Sequence, residues 1–433
     1  MVSLFTWFNK ENQNPNIASK PLNSPHISNE KSKINRNIID TISMAFSGDE
    51  LDSMKFYDRF KEESASNGMV VVAEKYNNTL KFNKKQLNEI VKLAKNYLKN
   101  SPSDNVSFRY GENTIDVRAI QTQDEIYLKM YLRSEEIIAG GGGGMINAST
   151  KLSSGSASVE KIGMDVEAFE NEVEVLHETH QRIQEHIDDL RPKFPHAFRK
   201  KKSGEYACIV VSPNPSFVNL EEHRYHMKRF KGDLANHIER HGDSLTIKEK
   251  NKLAKDTIAA IAILHEMGVV HKDIKMPNFL VDQGGRVLIA DFGEARVLKD
   301  TINDPNLPDL INIQHTFGTA EYTSVNIIKQ LQKCVKKNDW EAYNYNLTRL
   351  DNYALGVVLY ELYTGEEPYE RDIRQSSVYR LGDSKVVAKP LKEGIFESAN
   401  FKNSTPPDMQ IQIQALMLGY PVDKQELYDL VPK

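Results

Sequence analysis

The stretch GVVHKDIKMPNFLVDQGGRVLIADFGEAR, from Gly268 to Arg296, decides how this sequence is interpreted. Four polar side chains stand in its first predicted loop: His271, Asp273, Lys275 and Asn278. Two short apolar strands, FLV and VLIA, then separate this loop from Asp291 in a second one. A metal-bound phosphate needs such groups: one aspartate to orient a hydroxyl, another with an asparagine to hold Mg²⁺, and a lysine to neutralise charge. The stretch therefore predicts a phosphoryl-transfer site.

The same residues carry a family resemblance. HKDIKMPN, followed after twelve residues by DFG, resembles the catalytic loop and metal-binding motif of eukaryotic-type protein kinases. The resemblance implies Asp273 as the catalytic base, Lys275 as the phosphate-neutralising lysine, and Asn278 and Asp291 as metal ligands. Lys275 two residues after the aspartate is the serine/threonine form. Such residues also favour turns in any fold, but four of them in this order favour the catalytic interpretation.

A run of five glycines lies upstream, in IAGGGGGMI. It resembles the phosphate-covering loop of the family, with Gly141 and Gly144 in the second and third glycine positions. The resemblance implies six ATP-binding residues here: Ile138, Gly141, Gly142, Gly143, Gly144 and Ile146. Five glycines alone are typical of a linker, and five identical residues leave the register open. The phosphate-loop interpretation is favoured by Lys161, which follows Gly144 by 17 residues.

Lys161 resembles the family lysine that binds the α- and β-phosphates of ATP. It needs an anionic partner, and the predicted helix FENEVEVLHE offers Glu172 at the matching place. Glu174 and Glu178 remain alternatives, because charges on an amphipathic helix are usually solvated.

The segment HMKRFKGDL resembles the hinge of the family. The backbone from Met227 to Arg229 would then contact adenine, and Asp233 would reach the ribose. Lys272 is a departure, since the family usually has arginine before the catalytic aspartate and lysine offers no planar fork.

FGTAEYTSVN resembles the end of an activation segment and implies that Thr319 contacts the catalytic aspartate and lysine. Val325 and Asn326 depart from the usual proline and glutamate, so the customary ion pair cannot form here. DNYALGVVLYELYTGEEPY then resembles the buried central helix of the family, in which Asp351 caps the catalytic-loop backbone and Gly356 permits close packing.

The predicted fold is α+β: a bilobal protein-kinase-like fold with a β-rich N-lobe, a helical C-lobe and an N-terminal α/β extension. We expect a flexible arm at 1–38, an accessory module at 39–124 and the kinase domain at 125–433. The lobes would meet near residue 230, with the N-lobe at 125–230 and the C-lobe at 231–433. No clear family match follows the central helix.

Periodicity supplies the elements of this prediction. NKKQLNEIVKLAKNYLKN predicts an amphipathic helix, and VSFRYGENTIDVRAI with DEIYLKMYL predicts a meander that turns at Gly111–Asn113. Helices are expected from about Asp165 to Leu190 and over TIKEKNKLAKDTIAAIAILHEMG, and YACIVVSP with HRYHMKRF predicts a strand pair. The apolar face of the first helix would pack on the N-lobe or form a homodimer.

Composition limits the partners. The 433 residues carry a net charge of −4, which gives no nucleic-acid signal. Only Cys208 and Cys334 occur, so we expect neither disulfides nor a zinc site but a reducing compartment. The sequence shows neither a signal-peptide pattern nor an apolar run long enough to span a bilayer. A cytosolic protein is the expectation.

Three functions follow as hypotheses. The first is a serine/threonine protein kinase that uses ATP and Mg²⁺, with Mn²⁺ as an alternative, on a protein substrate. The others are an ATP-binding pseudokinase scaffold and a small-molecule phosphotransferase. The Asn/Lys-rich composition and altered late motifs also resemble the kinases that intracellular bacterial pathogens secrete into host cells, which implies virulence and a host protein as substrate.

Overall fold

The computed structural model describes the chain in twelve segments, and every structural statement below concerns these residues. They are 69–75, 78–101, 103–121, 126–141, 144–152, 156–201, 204–213, 215, 217–298, 318–370, 376–381 and 384–420. The predicted arm at 1–38 and the first part of the accessory module lie outside them.

Eighteen strands occur in the described residues. In chain order β1 to β18 are Met69–Lys75, Asn78–Asn83, Asn105–Tyr110, Asn113–Gln121, Ile126–Gly141, Gly144–Lys151, Ser156–Gly163, Phe198–Lys200, Tyr206–Cys208, Phe217–Asn219, Arg224–Lys228, Gly232–Asp233, Val269–Val270, Phe279–Val281, Val287–Ile289, Arg296–Val297, Ser377–Leu381 and Ser384–Ala388.

Nine α-helices are described as well. In chain order α1 to α9 are Lys84–Lys99, Val166–Glu185, Ile187–Lys193, Leu234–His241, Ile247–Glu266, Val325–Lys337, Trp340–Thr364, Ala399–Ser404 and Pro407–Met417.

The largest sheet is antiparallel and has seven strands in the order β10-β11-β7-β6-β5-β4-β3. The predicted meander is confirmed, because β3, β4 and β5 are consecutive neighbours and the chain turns between Tyr110 and Asn113. Strand β10 also lies near β3 and β4 from the opposite edge, so the sheet curls strongly. Strands β3 and β4 thus continue the same sheet that carries Lys161 on β7.

The predicted first helix is confirmed as α1, and its apolar face is buried. Leu87, Ile90, Ala94 and Leu98 join Phe108 and residues of β4 and β5 in one apolar cluster. This face is therefore core within the chain, as one of the two interpretations of the helix predicted.

Sequence reasoning paired two strands wrongly. YACIVVSP and HRYHMKRF do not pair with each other: β9 pairs with β8, and β11 lies between β10 and β7. Alternation indicates a strand but says nothing about its neighbour, and this pairing depends on contacts that are distant in sequence.

Helices α5, α7 and α9 form the larger core. Helix α5 starts with a full capping box, in which Thr246 and Glu249 satisfy each other's backbone N–H groups. Helix α7 is buried nearly all round, and Gly356 lies where α9 crosses it: a Cβ there would come within 2.8 Å of Met417 Cγ and 2.9 Å of Leu416 Cβ. The expected close packing at Gly356 is confirmed.

The segment after α7 has no element that a sequence motif predicts. It forms the hairpin β17–β18, a short α8 and then α9. The hairpin lies beside α6 and beside the turn Ala320–Tyr322, so it supports the end of the segment that carries Thr319.

Candidate active site

The three residues predicted to act on the hydroxyl and the phosphate lie together. Lys275 Nζ is 2.7 Å from Asp273 Oδ2 and donates to Thr319 Oγ1 at 3.1 Å. Thr319 in turn donates to Asp273 Oδ1 at 2.9 Å. The expected contact of Thr319 with both residues is thereby confirmed. Asp273 is only 12% exposed, and its contacts with Lys275 and Thr319 hold its carboxylate in one orientation.

The backbone of this loop is fixed from α7. Asp351 is buried, and its two oxygens accept the backbone N–H groups of His271 at 2.7 Å and of Lys272 at 2.8 Å. His265 Nε2 also lies 3.2 Å from Asp351 Oδ2. The predicted capping role of Asp351 is confirmed. Lys272 has a φ of +66°, a conformation that costs energy in a non-glycine residue and that these hydrogen bonds help to maintain.

Asn278 ends the loop that starts at His271 and leads directly into β14. Its amide nitrogen donates to the backbone oxygen of Asp273 at 2.7 Å and to Asp273 Oδ2 at 3.0 Å. The backbone oxygen of Asn278 accepts the N–H of Ala290, the residue before Asp291. These bonds turn the carboxamide oxygen of Asn278 away from Asp273 and leave it as an acceptor.

Lys161 joins the large sheet to the second loop. Its Nζ is 2.7 Å from Glu172 Oε2 and 2.8 Å from Asp291 Oδ1. This geometry selects Glu172 among the three predicted candidates, and Glu178 pairs with Arg182 instead. Asp291 remains 43% exposed, whereas Lys161 and Glu172 are nearly buried.

The two charges adjust each other's pKa values. Burial acts to lower the pKa of Lys161, but the Glu172 and Asp291 carboxylates outweigh it and raise that pKa well above its ordinary value. Burial acts to raise the pKa of Asp291, and the Lys161 ammonium outweighs it, so this pKa is lowered. Lys161 and Asp291 therefore both stay ionised at neutral pH.

Tyr225 on β11 supports the ion pair between Lys161 and Glu172. Its hydroxyl donates to Glu172 Oε1 at 3.0 Å, and its ring stacks near that of Phe169 on α2. Burial and the neighbouring carboxylate raise the pKa of Tyr225 well above its ordinary value, so the phenol keeps its proton. Sequence reasoning missed this residue, because a tyrosine on a strand is usually core and nothing local indicates its partner.

The donor set suits a hard divalent cation. Asp291 offers a carboxylate that is partly open to solvent, and Asn278 offers its remaining carboxamide oxygen. Oxygen ligands of this kind are what Mg²⁺ and Mn²⁺ prefer. Asn278 and Asp291 would hold the ion, with Lys161 limiting the net negative charge around it.

The glycine run includes the end of β5 and the start of β6. Gly141 pairs with Gly144, while Gly142 and Gly143 lie outside the described residues. Gly144 has a φ of +143°, and a Cβ there would lie 2.1 Å from the Ile162 carbonyl oxygen, so no other residue fits. Ile138 on β5 is exposed, and Ile146 on β6 is partly buried.

The predicted hinge residues lie at the end of β11 and just beyond it. Met227 pairs with Val159 and is buried, while the exposed Arg229 directs its backbone N–H to Ala157 O at 3.5 Å. Asp233 caps α4 and accepts from both nitrogens of Asn236, so its carboxylate already has partners. Nucleotide contacts for these residues stay a prediction.

Other contacts replace the ion pair that Val325 and Asn326 cannot make. Glu321 pairs with Lys389, which follows β18, and the Lys389 backbone N–H donates to Ala320 O at 3.0 Å. Tyr322 donates its hydroxyl to the buried Glu361 of α7 at 2.8 Å. Lys389 could not be found from sequence, because it belongs to the unassigned tail.

A second cluster of side chains that could bind a metal ion lies inside the curled sheet. Asp116, Glu160 and His226 place donor atoms within 4.8 Å of one another there. Arg224 Nη1 lies 2.6 Å from Asp116 Oδ2 and 2.9 Å from Glu160 Oε1, and Arg133 Nε lies 2.7 Å from Asp116 Oδ2. Both guanidinium groups also contact Glu222, which is half-exposed. The carboxylates of this cluster are therefore already paired with arginine in an ion-pair network.

Comparison with a protein-family model gives one match, the protein kinase domain, over residues 215–431. The match covers half of the chain and includes Asp273, Asn278 and Asp291. The glycine run, Lys161 and Glu172 precede it, so their assignment depends on the geometry above.

Several curated serine/threonine-protein kinases are similar to part of the chain. PKH1 of Saccharomyces cerevisiae is 33% identical over 144 residues, which are 32% of this chain and 17% of PKH1. YPK3 of the same yeast is 32% identical over 177 residues, 39% of this chain and 30% of YPK3. MRCK gamma of Homo sapiens is 27% identical over 192 residues, 41% of this chain and 11% of MRCK gamma. The match thus spans less than a third of each relative.

Proposed function

This chain belongs to the protein kinase family, and on that premise we propose that it transfers the γ-phosphate of ATP to serine and threonine hydroxyls of protein substrates. One observation carries the proposal: Asp273, Lys275 and Thr319 form a hydrogen-bonded group, and Lys161 connects Glu172 to Asp291 at 2.8 Å or less. The relatives named above are serine/threonine kinases by name.

The residues would divide the reaction as follows. Asp273 accepts the hydrogen bond of the substrate hydroxyl and receives its proton, while the hydroxyl oxygen bonds to the γ-phosphorus and the bond to the β–γ bridging oxygen breaks. Lys275 stabilises the charge of the transferring group. Lys161 contacts the α- and β-phosphates. Bound Mg²⁺ supplies further neutralisation of the phosphate charge.

The rest of the arrangement is proposed to complete a bilobal kinase. The curled sheet with α2 would be the small lobe, the helical part the large lobe, and ATP would lie between them beneath the paired strand ends at Gly141 and Gly144. The backbone at Met227–Arg229 would contact adenine. We propose that residues 39–124 form an accessory part of the small lobe, since β3 and β4 extend its sheet.

The cell biology is a separate proposal. No described helix combines the length and apolarity that a bilayer crossing demands. We keep the hypotheses of a cytosolic kinase, of secretion by an intracellular bacterium with a host protein as substrate, and of a homodimer through the accessory module. Light scattering on the full chain tests the dimer, and phosphoproteomics of host lysate treated with the kinase tests the substrate.

Acceptor choice tests the proposed function. We expect wild-type protein with γ-labelled ATP to label a generic basic protein and not sugars, amino alcohols or lipids. Asp273→Ala and Asp291→Ala should abolish the labelling. Labelling of small molecules alone would favour the phosphotransferase alternative, and ATP binding without any transfer would favour the pseudokinase scaffold.

A further inference from the structure

Asn171 on α2 makes an unusual set of contacts with the segment after Asp291. Its amide nitrogen donates to Gly293 O at 2.8 Å, to Ala295 O at 3.1 Å and to Phe292 O at 3.4 Å. All three acceptors are backbone carbonyls, so only the amide nitrogen, and not the oxygen, can face them. One side chain of α2 thereby satisfies several carbonyls of an irregular loop.

These contacts are next to both charged partners of Lys161. Asn171 precedes Glu172, which Lys161 contacts at 2.7 Å, and its acceptors follow Asp291, which Lys161 contacts at 2.8 Å. The helix also packs closely on the loop, because a Cβ on Gly293 would lie 3.8 Å from Ala168 O. A shift of α2 relative to the loop would therefore break the Asn171 hydrogen bonds together with the ion pairs.

Asp291 itself needs such support. Its φ of +67° is unfavourable for a residue with a Cβ, and such a conformation persists only where the surroundings fix it. Phe292, the next residue, is fully buried, and its ring packs edge-to-face on His271, which anchors the turn through a side chain. The Asn171 amide holds the backbone carbonyl groups of the same turn.

We propose that Asn171 is a positioning residue that keeps Asp291 in its orientation for metal binding. It would thereby couple the conformation of the metal-binding loop to the position of α2. The proposal rests on the proposed function, which makes Asp291 a metal ligand. It adds a second link between α2 and the loop, independent of the charges on Lys161 and Glu172.

The test exchanges the donor for an acceptor of the same shape. Asn171→Asp presents a carboxylate to three carbonyls, and Asn171→Ala removes the contact. Gln184→Glu is the matched control, an amide-to-carboxylate change on the exposed side of the same helix. Hydrogen exchange without nucleotide is the first readout. We expect at least about fivefold faster exchange of the amides in 292–298 in both Asn171 variants, with no change for α5 or for Gln184→Glu.

Metal-linked binding is the second readout. Calorimetry measures the affinity for a non-hydrolysable ATP analogue with and without Mn²⁺. We expect the gain in affinity on adding Mn²⁺ to fall about tenfold in Asn171→Asp, which corresponds to about 1.4 kcal/mol, while the melting temperature changes little. A residue with only a structural role would lower the melting temperature and leave the Mn²⁺-linked gain intact.

The outcomes separate the two proposals. Unchanged exchange of 292–298 in both variants, or an unchanged Mn²⁺-linked gain in Asn171→Asp, overturns the role of Asn171 while the wild-type kinase activity stands. A wild-type protein that neither gains nucleotide affinity with Mn²⁺ nor transfers phosphate overturns the proposed function, whatever the exchange data show.

Discussion

Gly318 shows how closely two loops of the site approach each other. Its φ is +51°, and a Cβ at this position would lie 2.7 Å from the Lys272 carbonyl oxygen, in a loop whose backbone Asp351 holds in place. We predict that Gly318→Ala displaces Thr319 from Asp273 and lowers kcat by about tenfold or more, equivalent to about 1.4 kcal/mol. Steady-state kinetics with a protein acceptor measure the effect.

Gly394→Ala is the control for this change. Gly394 also has a positive φ, +69°, but a Cβ at this position would meet no atom within 4 Å. Backbone strain should therefore be similar, and kcat should stay within about twofold of wild type. Equal loss of kcat in both variants would mean that strain, and not the contact with Lys272, is responsible.

Glu361 should make stability depend on pH. Burial raises its pKa to about 7 from the ordinary 4.5, even though hydrogen bonds from Tyr322 and Tyr369 act in the opposite direction. The folded protein keeps this proton where the unfolded chain loses it, so the contribution is fully present below pH 4.5 and is lost as the pH rises through about 7.

Glu361→Gln removes this titration and keeps an oxygen that accepts from Tyr322. We predict that the free energy of unfolding of wild type, relative to this variant, falls by up to about 3 kcal/mol between about pH 4.5 and about pH 8. Urea denaturation of both proteins at the two pH values measures it. A constant difference between the proteins would show that Glu361 does not titrate in this range.

The residues that sequence could identify are those with a fixed local spacing. Asp273, Lys275, Asn278 and Asp291 belong to one stretch of chain, and their geometry is local to two adjacent loops. Thr319 and Asp351 were identified as well, although their partners are distant in sequence, because each stands in a motif of the family. Asn171 and Lys389 could not be identified, because no such motif assigns their contacts with distant segments.

Helices α7 and α9 meet at Gly356. We predict that Gly356→Ala lowers the free energy of unfolding by about 1–3 kcal/mol, because the added methyl group overlaps Met417 and Leu416 in a packed core. Thermal or urea denaturation measures the loss.

Met417→Ala supplies a rescue. It vacates space at the atom nearest to the added methyl group, so the double variant should lose less stability than the sum of the two single variants. Strict additivity would show that the close approach of α9 to Gly356 does not limit packing here.

Elements with a strong periodic pattern were predictable, and their partners were predictable only where the paired strands follow each other in the chain. The amphipathic pattern identified α1, and alternation identified β3 to β5. The pairing of β9 with β8 was missed, since two three-residue strands carry too short a pattern. The hairpin β17–β18 was missed because no family motif covers the tail.

The molecule as a whole depends on ion pairs that cross the boundary predicted at residue 124. Arg224 on β11 is 3% exposed and contacts Asp116 of β4 as well as Glu160 of β7, the neighbour of Lys161. No local pattern indicates this network, because Asp116 and His226 within it are 110 positions apart.

We predict that Arg224→Met lowers the free energy of unfolding by about 3 kcal/mol or more, because Asp116 and Glu160 lose the more buried of their two guanidinium partners. Arg199→Met, at an exposed arginine of β8, should change it by less than about 0.5 kcal/mol. Chemical denaturation measures both variants. Similar small effects would show that β4 contributes little to the sheet that holds Lys161.

We propose above that Asp273 serves phosphate transfer to a protein hydroxyl. The most direct measurement is the rate at which γ-labelled ATP phosphorylates serine and threonine of an acceptor protein, for wild type and Asp273→Asn, with ATP affinity measured in parallel. We predict transfer by wild type and a loss of at least about 100-fold in the variant, with ATP affinity within about threefold. Equal transfer by both proteins, or ATP binding by wild type without any transfer, would contradict the claim.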